Sequence, residues 1–559
     1  MEKENDMTRA YPNCGNDVSV SGECRFGENH EEKATGWMGS LVITVIIIGA
    51  LIAGTIFSIQ IFGNPLDFLN DLRRNDFYQV TQASENLPIS RDSSNTITLD
   101  QIAGLREYFE NQQFSTLNSI LEDYQSDFET DSGDEYKVYD AFRVFAGTLP
   151  IYEDLLNSWV QYSPERYAPY LARANYYYAK GWESRGNRYA KDTSEEQLSE
   201  MRLYFHKAGD DLDTALDINS NLLPAYYILI GIFNATGSNE EEDRILRNAL
   251  ELFPRSFLIH SRYMWAKEPR WGGTYREMEE FAKKAEQYAD SNPELTALYG
   301  FIYYDQSRRL VSQKKYKKAV ELCIKALDYG DHWLFYKQRA HIYYYYLKDS
   351  QKALRDIDRS IFLRPTIEES YRLRSKIYYK DGDMEYALDD LLTAEFIKSG
   401  DAKTKKWRTW AGNSLMKRGH KLFEKDLNEA LEQYNLSIQF DPENPLTYYW
   451  RGVVFYRLKQ FEPAMRDIEK SIDISPHHFD SYVMMDYILL TSKQYDEIIG
   501  YWNQFLELEP DHAGAFLERA GTNYHRKDFA SALDDLKTAC DLGNEEGCNR
   551  FEKYKDIWK

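Results

Sequence analysis

Histidine, cysteine, serine and the acidic residues are the side chains with which this chain could do chemistry, so we consider their spacing first. A nucleophile elbow of the G-x-S-x-G type, a glycine-rich phosphate loop and a helical pair of metal-binding histidines each need a defined pattern. The sequence contains none of them. His477 and His478 follow Pro476, and His512 lies 34 residues after His478, which is typical of solvated turns. We therefore predict no catalytic residue, no cofactor and no metal, and expect that the protein is not an enzyme.

The string EPRWGGTYREM at 268–278 is the most distinctive local motif. A tryptophan beside an arginine and two glycines could form a ligand-binding corner. Thr274 followed by Glu277, however, is the pattern of a capping box, in which the two glycines turn the chain into a new helix. Trp271 would then pack against this turn. We interpret the motif as structural.

Length and composition describe the scaffold that must position any site. A chain of 559 residues is several times a common domain size, so it is modular or repetitive. The formal charge of -22 would repel a phosphate backbone, which disfavours nucleic acid and favours a partner with basic segments. Five cysteines cannot form a disulfide framework. The 44 Tyr, 28 Phe and 11 Trp supply a large core, while 30 Gly and 16 Pro are too few for a β-sandwich, so we predict an all-helical protein.

A 34-residue repeat is the decisive signal. Small or branched residues return at this interval in two series, separated by one step of 43: Ala319, Ala353 and Ala387, then Ala430, Ala464, Ile498 and Ala532. Prolines keep the same interval, each where a second helix should end: Pro442, Pro476 and Pro510. The unit is expected to be two antiparallel helices, because the small residue lets the backbones approach and large apolar residues fill the space around it.

This pattern resembles the tetratricopeptide repeat (TPR) family. In the clearest unit, 445–476, the family's positions fall on Tyr448, Gly452, Phe455, Phe461, Ala464, Ile468 and Pro476. Arg451 stands where an apolar residue is usual, and Ser471 stands where alanine is usual. The resemblance implies an α-solenoid of about seven units over residues 300–544.

The resemblance also implies a site, because the first helix of each TPR unit lines a concave groove. The groove position just after the core aromatic falls on four tyrosines: Tyr345, Tyr379, Tyr456 and Tyr524. Leucine occupies it in two other units, at Leu422 and Leu490. Aligned tyrosines predict a groove that binds a protein or peptide partner. Tyrosine is also common there for packing alone, so a wet concave face without a ligand is the alternative.

Two cysteines bracket the last turn of the array, in the string ACDLGNEEGC. This string resembles the end of repeats in bacterial Sel1-like proteins, some of which bond such a pair. The resemblance implies a possible disulfide between Cys540 and Cys548, which would form only in an oxidising compartment. Residues 545–559 are expected to form the polar-backed cap that an open repeat array needs.

The segment from Trp37 to Phe62 runs 26 residues without a charge, and about 20 apolar residues suffice to cross a bilayer. We predict one transmembrane helix at 37–62. Positive charges are balanced on its two sides, so they do not set the orientation.

The first 36 residues contain YPNCG and ECRFG, which resemble a small zinc ribbon found at the start of many bacterial membrane proteins. Only Cys14 and Cys24 remain of the four ligands that tetrahedral zinc needs, so we expect an acidic tail with a decayed motif, on the cytosolic side.

Residues 98–299 are helical in pattern but keep no 34-residue period. They contain GWESRG at 181–186 and the PRWGGT string, which together resemble a bacterial helical domain of unknown function. That resemblance implies no activity.

The predicted architecture therefore has six parts: an acidic tail (1–36), the transmembrane helix (37–62), a stem and linker (63–97), an irregular helical domain (98–299), the TPR array (300–544) and a capping helix (545–559). We expect a scaffold or adaptor in the inner or cytoplasmic membrane of a bacterium, with the solenoid on the extracytoplasmic side, that binds a protein or peptide beside the membrane. The alternative is an enzyme or small-ligand receptor with its site in residues 98–299.

Overall fold

The computed structural model describes residues 96–130, 135–186, 192–237 and 239–558. The predicted tail, transmembrane helix and nearly all of the stem lie outside these ranges. Within them, no helix is both long and apolar enough to cross a bilayer. The described residues form α-helices joined by short turns, with a few 3₁₀ segments, one π-helical turn and no β-strand. The prediction of an all-helical chain is confirmed for this part of the protein.

Ten helices precede the TPR array. They are α1 (Leu99–Glu110), α2 (Phe114–Thr130), α3 (Glu135–Arg143), α4 (Pro150–Tyr162), α5 (Tyr167–Arg185), α6 (Glu195–Ile218), α7 (Leu223–Thr236), α8 (Asn239–Leu252), α9 (Phe257–Ala266) and α10 (Tyr275–Ala285). Helices α5 and α6 pack as a pair, as do α7 and α8, and the first helices α5, α7, α9 and α11 also contact one another in order. One hydrophobic core runs from Ile97 to Phe335, so the helices before residue 298 belong to the same stack as the first units of the array.

Seven helix pairs follow, from Leu298 to Asp541. Their first helices are α11 (Leu298–Ser312), α13 (Trp333–Ile342), α15 (Glu368–Asp381), α17 (Ala402–Leu422), α19 (Pro445–Arg457), α21 (Phe479–Thr491) and α23 (Ala513–His525). Their second helices are α12 (Tyr316–Leu327), α14 (Ser350–Leu363), α16 (Met384–Ile397), α18 (Leu427–Phe440), α20 (Phe461–Ile474), α22 (Tyr495–Leu508) and α24 (Phe529–Asp541). Helix α25 (Glu545–Tyr554) packs on α24 at the end of the stack.

The residues that define the 34-residue period lie on the second helices and have no exposed surface, from Ala319 to Ala532. Their role is visible in the unit of Ala464, where the first helix presents Gly452. A Cβ atom on Gly452 would lie 2.8 Å from Ile468 and 3.3 Å from the Ala464 carbonyl oxygen. Small residues on both helices therefore permit the close approach that the repeat requires.

The turn between the two helices of a unit contains a residue in the left-handed conformation. This position recurs every 34 residues in most units, and lysine occupies it more often than glycine: Lys314, Lys348, Gly382, Lys459, Lys493 and Lys527. At positive φ the Cβ atom of lysine comes too close to the backbone, whereas glycine has no Cβ atom and avoids this cost. The turn geometry therefore follows from the packing of the helix pair and not from local preference.

Arg451, which departs from the TPR pattern, joins two units. Its Nε and Nη2 atoms donate to the two carboxylate oxygens of Asp467 at 2.7 Å, and its Nη1 donates to Asn435 at 2.8 Å. Asp467 belongs to α20 of the same unit and Asn435 to α18 of the preceding one. The same three-residue clamp recurs with Arg519, Asp535 and Asn503, and before the array with Arg173, Asp211 and Asn157.

Residues of α3 and of the loop before α4 contact the loops after α14 and α16, and we call this contact the closure. Arg364 donates to both carboxylate oxygens of Asp140, at 2.8 and 2.9 Å, and both side chains are nearly inaccessible to solvent. Thr366 also donates to Asp140 at 2.8 Å. At the next loop, the Thr148 hydroxyl donates to the Gly400 carbonyl at 3.0 Å. These partners are more than 220 residues apart in sequence.

Candidate functional site

A pocket of about 470 Å³ lies where the first helices of three consecutive units meet, α13, α15 and α17. Its lining comprises Lys337, Gln338, His341, Tyr345, Glu369, Arg372, Leu373, Lys376, Lys403, Lys406, Trp407 and Trp410. All twelve come from a first helix or from the π-helical turn Tyr343–Leu347 that ends α13. The pocket therefore lies on the helices that the TPR resemblance assigns to the groove.

Five cations line this pocket against one carboxylate. Glu369 forms an ion pair with Lys337 and lies 3.9 Å from both Arg372 and Lys403. The charge of Lys337, followed by those of Arg372 and Lys403, holds the pKa of Glu369 well below its usual range. Glu369 therefore stays ionised, and Arg372 also donates to Asp401, just before α17, at 2.8 Å. The two carboxylates neutralise part of the positive charge.

Lys376 lies deeper in the pocket, with its Nζ donating to the Tyr345 hydroxyl at 3.3 Å. Burial and the nearby charge of Arg372 lower the pKa of Lys376 to about 8. Within the described ranges no carboxylate lies within 4 Å of Lys376 or of the exposed Lys406. An arriving anion would raise the pKa of Lys376 again, because an opposite charge favours the protonated amine.

Aromatic rings form one wall of the pocket. Trp407 and Trp410 stack with their ring centroids 5.1 Å apart, and Trp410 is 55% exposed. Lys376 lies 5.3 Å from the Trp407 ring. His341 packs against Tyr345 at 4.6 Å, and burial, followed by the charges of Lys337 and Lys376, lowers the pKa of His341 to about 4. The imidazole is therefore neutral at pH 7, so the positive charge comes from the lysines and Arg372.

The four predicted groove tyrosines do not form one continuous surface. Tyr345 lines the pocket. Tyr379 is 4% exposed and packs against Trp407 at 5.3 Å and Trp410 at 5.7 Å. The tryptophans of α17 cover its ring, so Tyr379 belongs to the packing between units and offers no open contact surface.

The other two predicted tyrosines lie outside the pocket and share a different environment. Tyr456 contacts Phe461, and Tyr524 contacts Phe529, each at 5.9 Å, so both rings lie against the start of the second helix of their own unit. Tyr524 also stacks on Trp558 near the C-terminus, at 5.2 Å.

Sequence reasoning missed the basic and aromatic residues of α17. This helix has 21 residues and carries the string KTKKWRTW. A signal was present, because the step of 43 between Ala387 and Ala430 marks additional residues in this unit. The longer helix supplies Lys403, Lys406, Trp407 and Trp410 to the pocket.

The remaining candidate residues lie in ordinary structural settings. Cys540 and Cys548 are joined by a disulfide across the turn between α24 and α25. His477 contacts Glu509, and His512 packs against Phe479 with the two rings tilted. Across the residues that the structure covers, no group of three His, Cys, Asp or Glu side chains could hold a metal ion. Cys14 and Cys24 lie outside those residues.

The PRWGGT string forms a tight connection between α9 and α10. Thr274 is the N-cap of α10, where its side chain accepts from the Glu277 amide at 3.2 Å. The Thr274 hydroxyl in turn donates to the Glu277 carboxylate at 2.7 Å. Gly272 adopts φ +97°, which favours glycine. The predicted helix start is therefore present, although the Glu277 side chain bonds the threonine hydroxyl and not the N-cap amide of a full capping box.

Comparison with known proteins supports the repeat assignment. A family model described as a TPR repeat matches residues 419–459, from the end of α17 through α19. The BBSome complex member BBS4 homolog of Drosophila melanogaster is 23% identical over 314 residues, which are 54% of this chain and 61% of that protein. Anaphase-promoting complex subunit 3 of Schizosaccharomyces pombe is 22% identical over 267 residues, 47% of this chain and 37% of that protein. The chain thus spans less than two thirds of either relative.

Solved TPR structures also align with this chain. The TPR domain of P58(IPK) aligns at 16% identity over 63% of this chain and 92% of that domain, with a TM-score of 0.22. YrrB, described as a TPR protein with an unusual peptide-binding site, aligns at 19% identity over 35% of this chain and 97% of its own, with a TM-score of 0.23.

Proposed function

We propose that this chain is a membrane-anchored scaffold that holds an acidic segment of a partner protein in the pocket between α13, α15 and α17. The lining of the pocket carries this proposal, because five cations and a stacked tryptophan pair converge on one space. Lysine and arginine bind carboxylates through charge-assisted hydrogen bonds, and the tryptophan faces add apolar contact area. An extended peptide with acidic and apolar residues fits such a surface.

We infer the sign of the partner's charge from the charge of the pocket lining and not from the net charge of the whole chain. The net charge of -22 favours a partner with basic segments, but screening limits exposed charges to a range of about 10 Å. At the pocket Arg372 is paired with Asp401, whereas Lys376 and Lys406 have no carboxylate within 4 Å in the described ranges, so these two lysines are the charges that an arriving carboxylate can pair with. The acidic remainder of the chain then acts against unspecific binding of acidic proteins elsewhere on its surface.

The scaffold role is supported by the architecture and by the relatives. Stacked helix pairs present extended surfaces for recognition, and the names of two relatives place those proteins in the BBSome and the anaphase-promoting complex. A small-ligand receptor or enzyme with a site in residues 98–299 is the alternative, and the buried Nε of Arg262, which has no hydrogen-bond acceptor among the described residues, favours ligand binding there.

The test is a titration of the full chain, in detergent, with labelled hexaglutamate and hexalysine. We expect hexaglutamate to bind and hexalysine not to bind through the pocket, with affinity that falls as salt is added. Lys376→Gln with Lys406→Gln removes two charge contacts and should weaken hexaglutamate binding by about tenfold or more. Binding should also weaken as the pH rises through 8, because Lys376 with its lowered pKa loses its charge there.

A matched control uses two exposed lysines on second helices, far from the pocket lining. Lys470→Gln with Lys537→Gln makes the same change in net charge and should leave hexaglutamate affinity within about twofold of wild type. Equal losses in the two double variants would show that binding reflects net charge, and the proposed pocket would then be wrong.

We also propose that residues 37–62 anchor the chain and that the solenoid lies on the extracytoplasmic side. The uncharged 26-residue segment and the disulfide between Cys540 and Cys548 support this placement, because such bonds persist in oxidising compartments. We expect alkylation of unreduced protein from native membranes to leave both cysteines unlabelled, as read by mass spectrometry of the C-terminal peptide. Two labelled thiols would contradict the placement.

A further inference from the structure

A second cationic site lies before the TPR array, around Arg262 of α9. The guanidinium reaches across to α5 and α7, where Nη2 donates to the Tyr178 hydroxyl and the Tyr227 ring lies 4.7 Å away. Tyr139 of α3 packs on Tyr227 with ring centroids 4.6 Å apart. Arg262 and these three tyrosines are all half-buried, so the cluster retains some access to solvent.

The Arg262 guanidinium lacks the anion that such a group normally has. In the part of the chain that the structure describes, no carboxylate lies within 4 Å of it, and its Nε, which is inaccessible to solvent, has no hydrogen-bond acceptor. Glu242 interacts electrostatically with Arg262, but its carboxylate lies 3.8 Å from Lys267 instead. A cation removed from water is costly unless an anion or hydrogen bonds compensate it.

The backbone makes room for this guanidinium. Gly231 of α7 lies directly beside it, and a Cβ atom there would stand 1.6 Å from Arg262 Nη2 and 2.5 Å from the Tyr178 hydroxyl. Any side chain at position 231 would displace the arginine. The close fit of Gly231, Tyr178 and Arg262 therefore holds the cation at one place among three helices.

The cluster also connects the two motifs that the proposed function leaves unused. Tyr178 lies one helical turn before Trp182 of the GWESRG string, and the two rings are 6.2 Å apart. Arg262 lies on α9, the helix that leads into the PRWGGT connection. Each motif thus lies on, or directly after, a helix that carries this site.

We propose that Arg262, with the hydroxyl group of Tyr178, binds an oxyanion, either a carboxylate or a phosphate group. The guanidinium presents a planar set of donors that matches the oxygens of these groups. A tyrosine hydroxyl can donate to the same oxyanion. This site lies outside the 337–410 pocket and takes its ligand independently of it.

The test is the thermal melting of the full chain with inorganic phosphate or acetate, each compared with chloride at equal ionic strength. We expect phosphate to raise the melting temperature of the wild type in a saturable way, since a ligand that binds only the folded state stabilises it. Because the 337–410 pocket can also bind anions, Arg262→Gln should lower this rise, and in the background of Lys376→Gln with Lys406→Gln it should remove nearly all of it. An equal rise with acetate would assign the site to oxyanions in general, and a rise with phosphate alone would assign it to phosphate groups.

Three variants separate the site from other effects. Arg166→Gln, which removes an exposed arginine, and the pocket variant Lys376→Gln with Lys406→Gln should both keep the Arg262-dependent rise. Tyr178→Phe removes only the hydroxyl that Arg262 contacts and should weaken phosphate binding several-fold, which tests the site if Arg262→Gln fails to fold. The proposal is overturned if neither anion stabilises the wild type, if Arg262→Gln keeps the full rise, or if Tyr178→Phe binds phosphate as tightly as wild type.

Discussion

Replacement of Arg364 by alanine is expected to weaken the closure between α3 and the loop after α14. The change leaves Asp140, whose side chain is 1% exposed, without the guanidinium that binds both of its oxygens. Removing one partner of a buried ion pair costs about 3–5 kcal/mol when the remaining charge is left without compensation. Arg143 stays 3.2 Å from Asp140, and Thr366 still donates to it, so we expect the loss to lie at or below the lower end of that range. Hydrogen exchange of the α3 amides should show their opening free energy reduced by this amount.

Arg166→Ala is the matched control, because it deletes the same side chain from an exposed pair. Arg166 binds Glu122 at 2.9 Å, with the two side chains 50% and 30% exposed. Exposed pairs contribute about 1 kcal/mol or less, so this variant should exchange nearly as wild type does. If Arg364→Ala and Arg166→Ala had equal effects, the Asp140 contact would not hold the closure.

A double variant distinguishes the cost of leaving one charge unpaired from the net contribution of the ion pair to stability. Arg364→Met with Asp140→Leu replaces both charges by apolar groups and is expected to recover part of the lost stability. Recovery is incomplete because Arg143 then keeps only Glu368 as a carboxylate partner among the described residues, at 3.3 Å, and the Thr366 hydroxyl loses its acceptor. The same closure also depends on contacts of neutral groups, such as the Thr148 hydroxyl with the Gly400 carbonyl, which the double variant leaves in place.

The repeat was predictable because its cause is local. Each small residue of the 34-residue series must face its own partner helix, and packing density keeps that position small in successive units. The sequence therefore predicts the second-helix positions from Ala319 to Ala532, which have no exposed surface. The clamp around Arg451 was visible only as a departure from the family pattern, since its meaning depends on Asp467 and Asn435 in two other helices.

The pocket and the closure were not predictable, because both depend on contacts between units. Tyr379 shares the register of Tyr345, but the longer helix α17 brings Trp407 and Trp410 over its ring. A repeat period describes what the units have in common and does not indicate differences between them, such as the longer helix α17. The Asp140 to Arg364 pair joins residues 224 apart, and nothing in a period of 34 relates those positions.

Replacement of Gly273 by alanine is expected to disrupt the connection between α9 and α10. A Cβ atom at this position would lie 2.3 Å from the Lys267 carbonyl oxygen and 2.6 Å from its carbonyl carbon. Both are backbone atoms at the end of α9, so the overlap cannot be relieved by a side-chain rotation. Forced overpacking of this kind costs about 1–3 kcal/mol and occasionally more, and we expect Gly273→Ala to lie at or above the upper end, as measured by denaturant unfolding.

Two further glycine-to-alanine changes make this prediction specific. Gly272 has φ +97° and no atom near its Cβ position, so Gly272→Ala meets only the backbone cost of about 1–2 kcal/mol. Gly500, inside α22, has an ordinary helical backbone and open space, so Gly500→Ala should stabilise the chain by up to about 1 kcal/mol. The expected order of stability is Gly500→Ala, wild type, Gly272→Ala, then Gly273→Ala. If Gly273→Ala were as stable as Gly272→Ala, the close approach of Gly273 to the Lys267 backbone would be wrong. The interpretation of the PRWGGT string as a structural connection would then lose its main support.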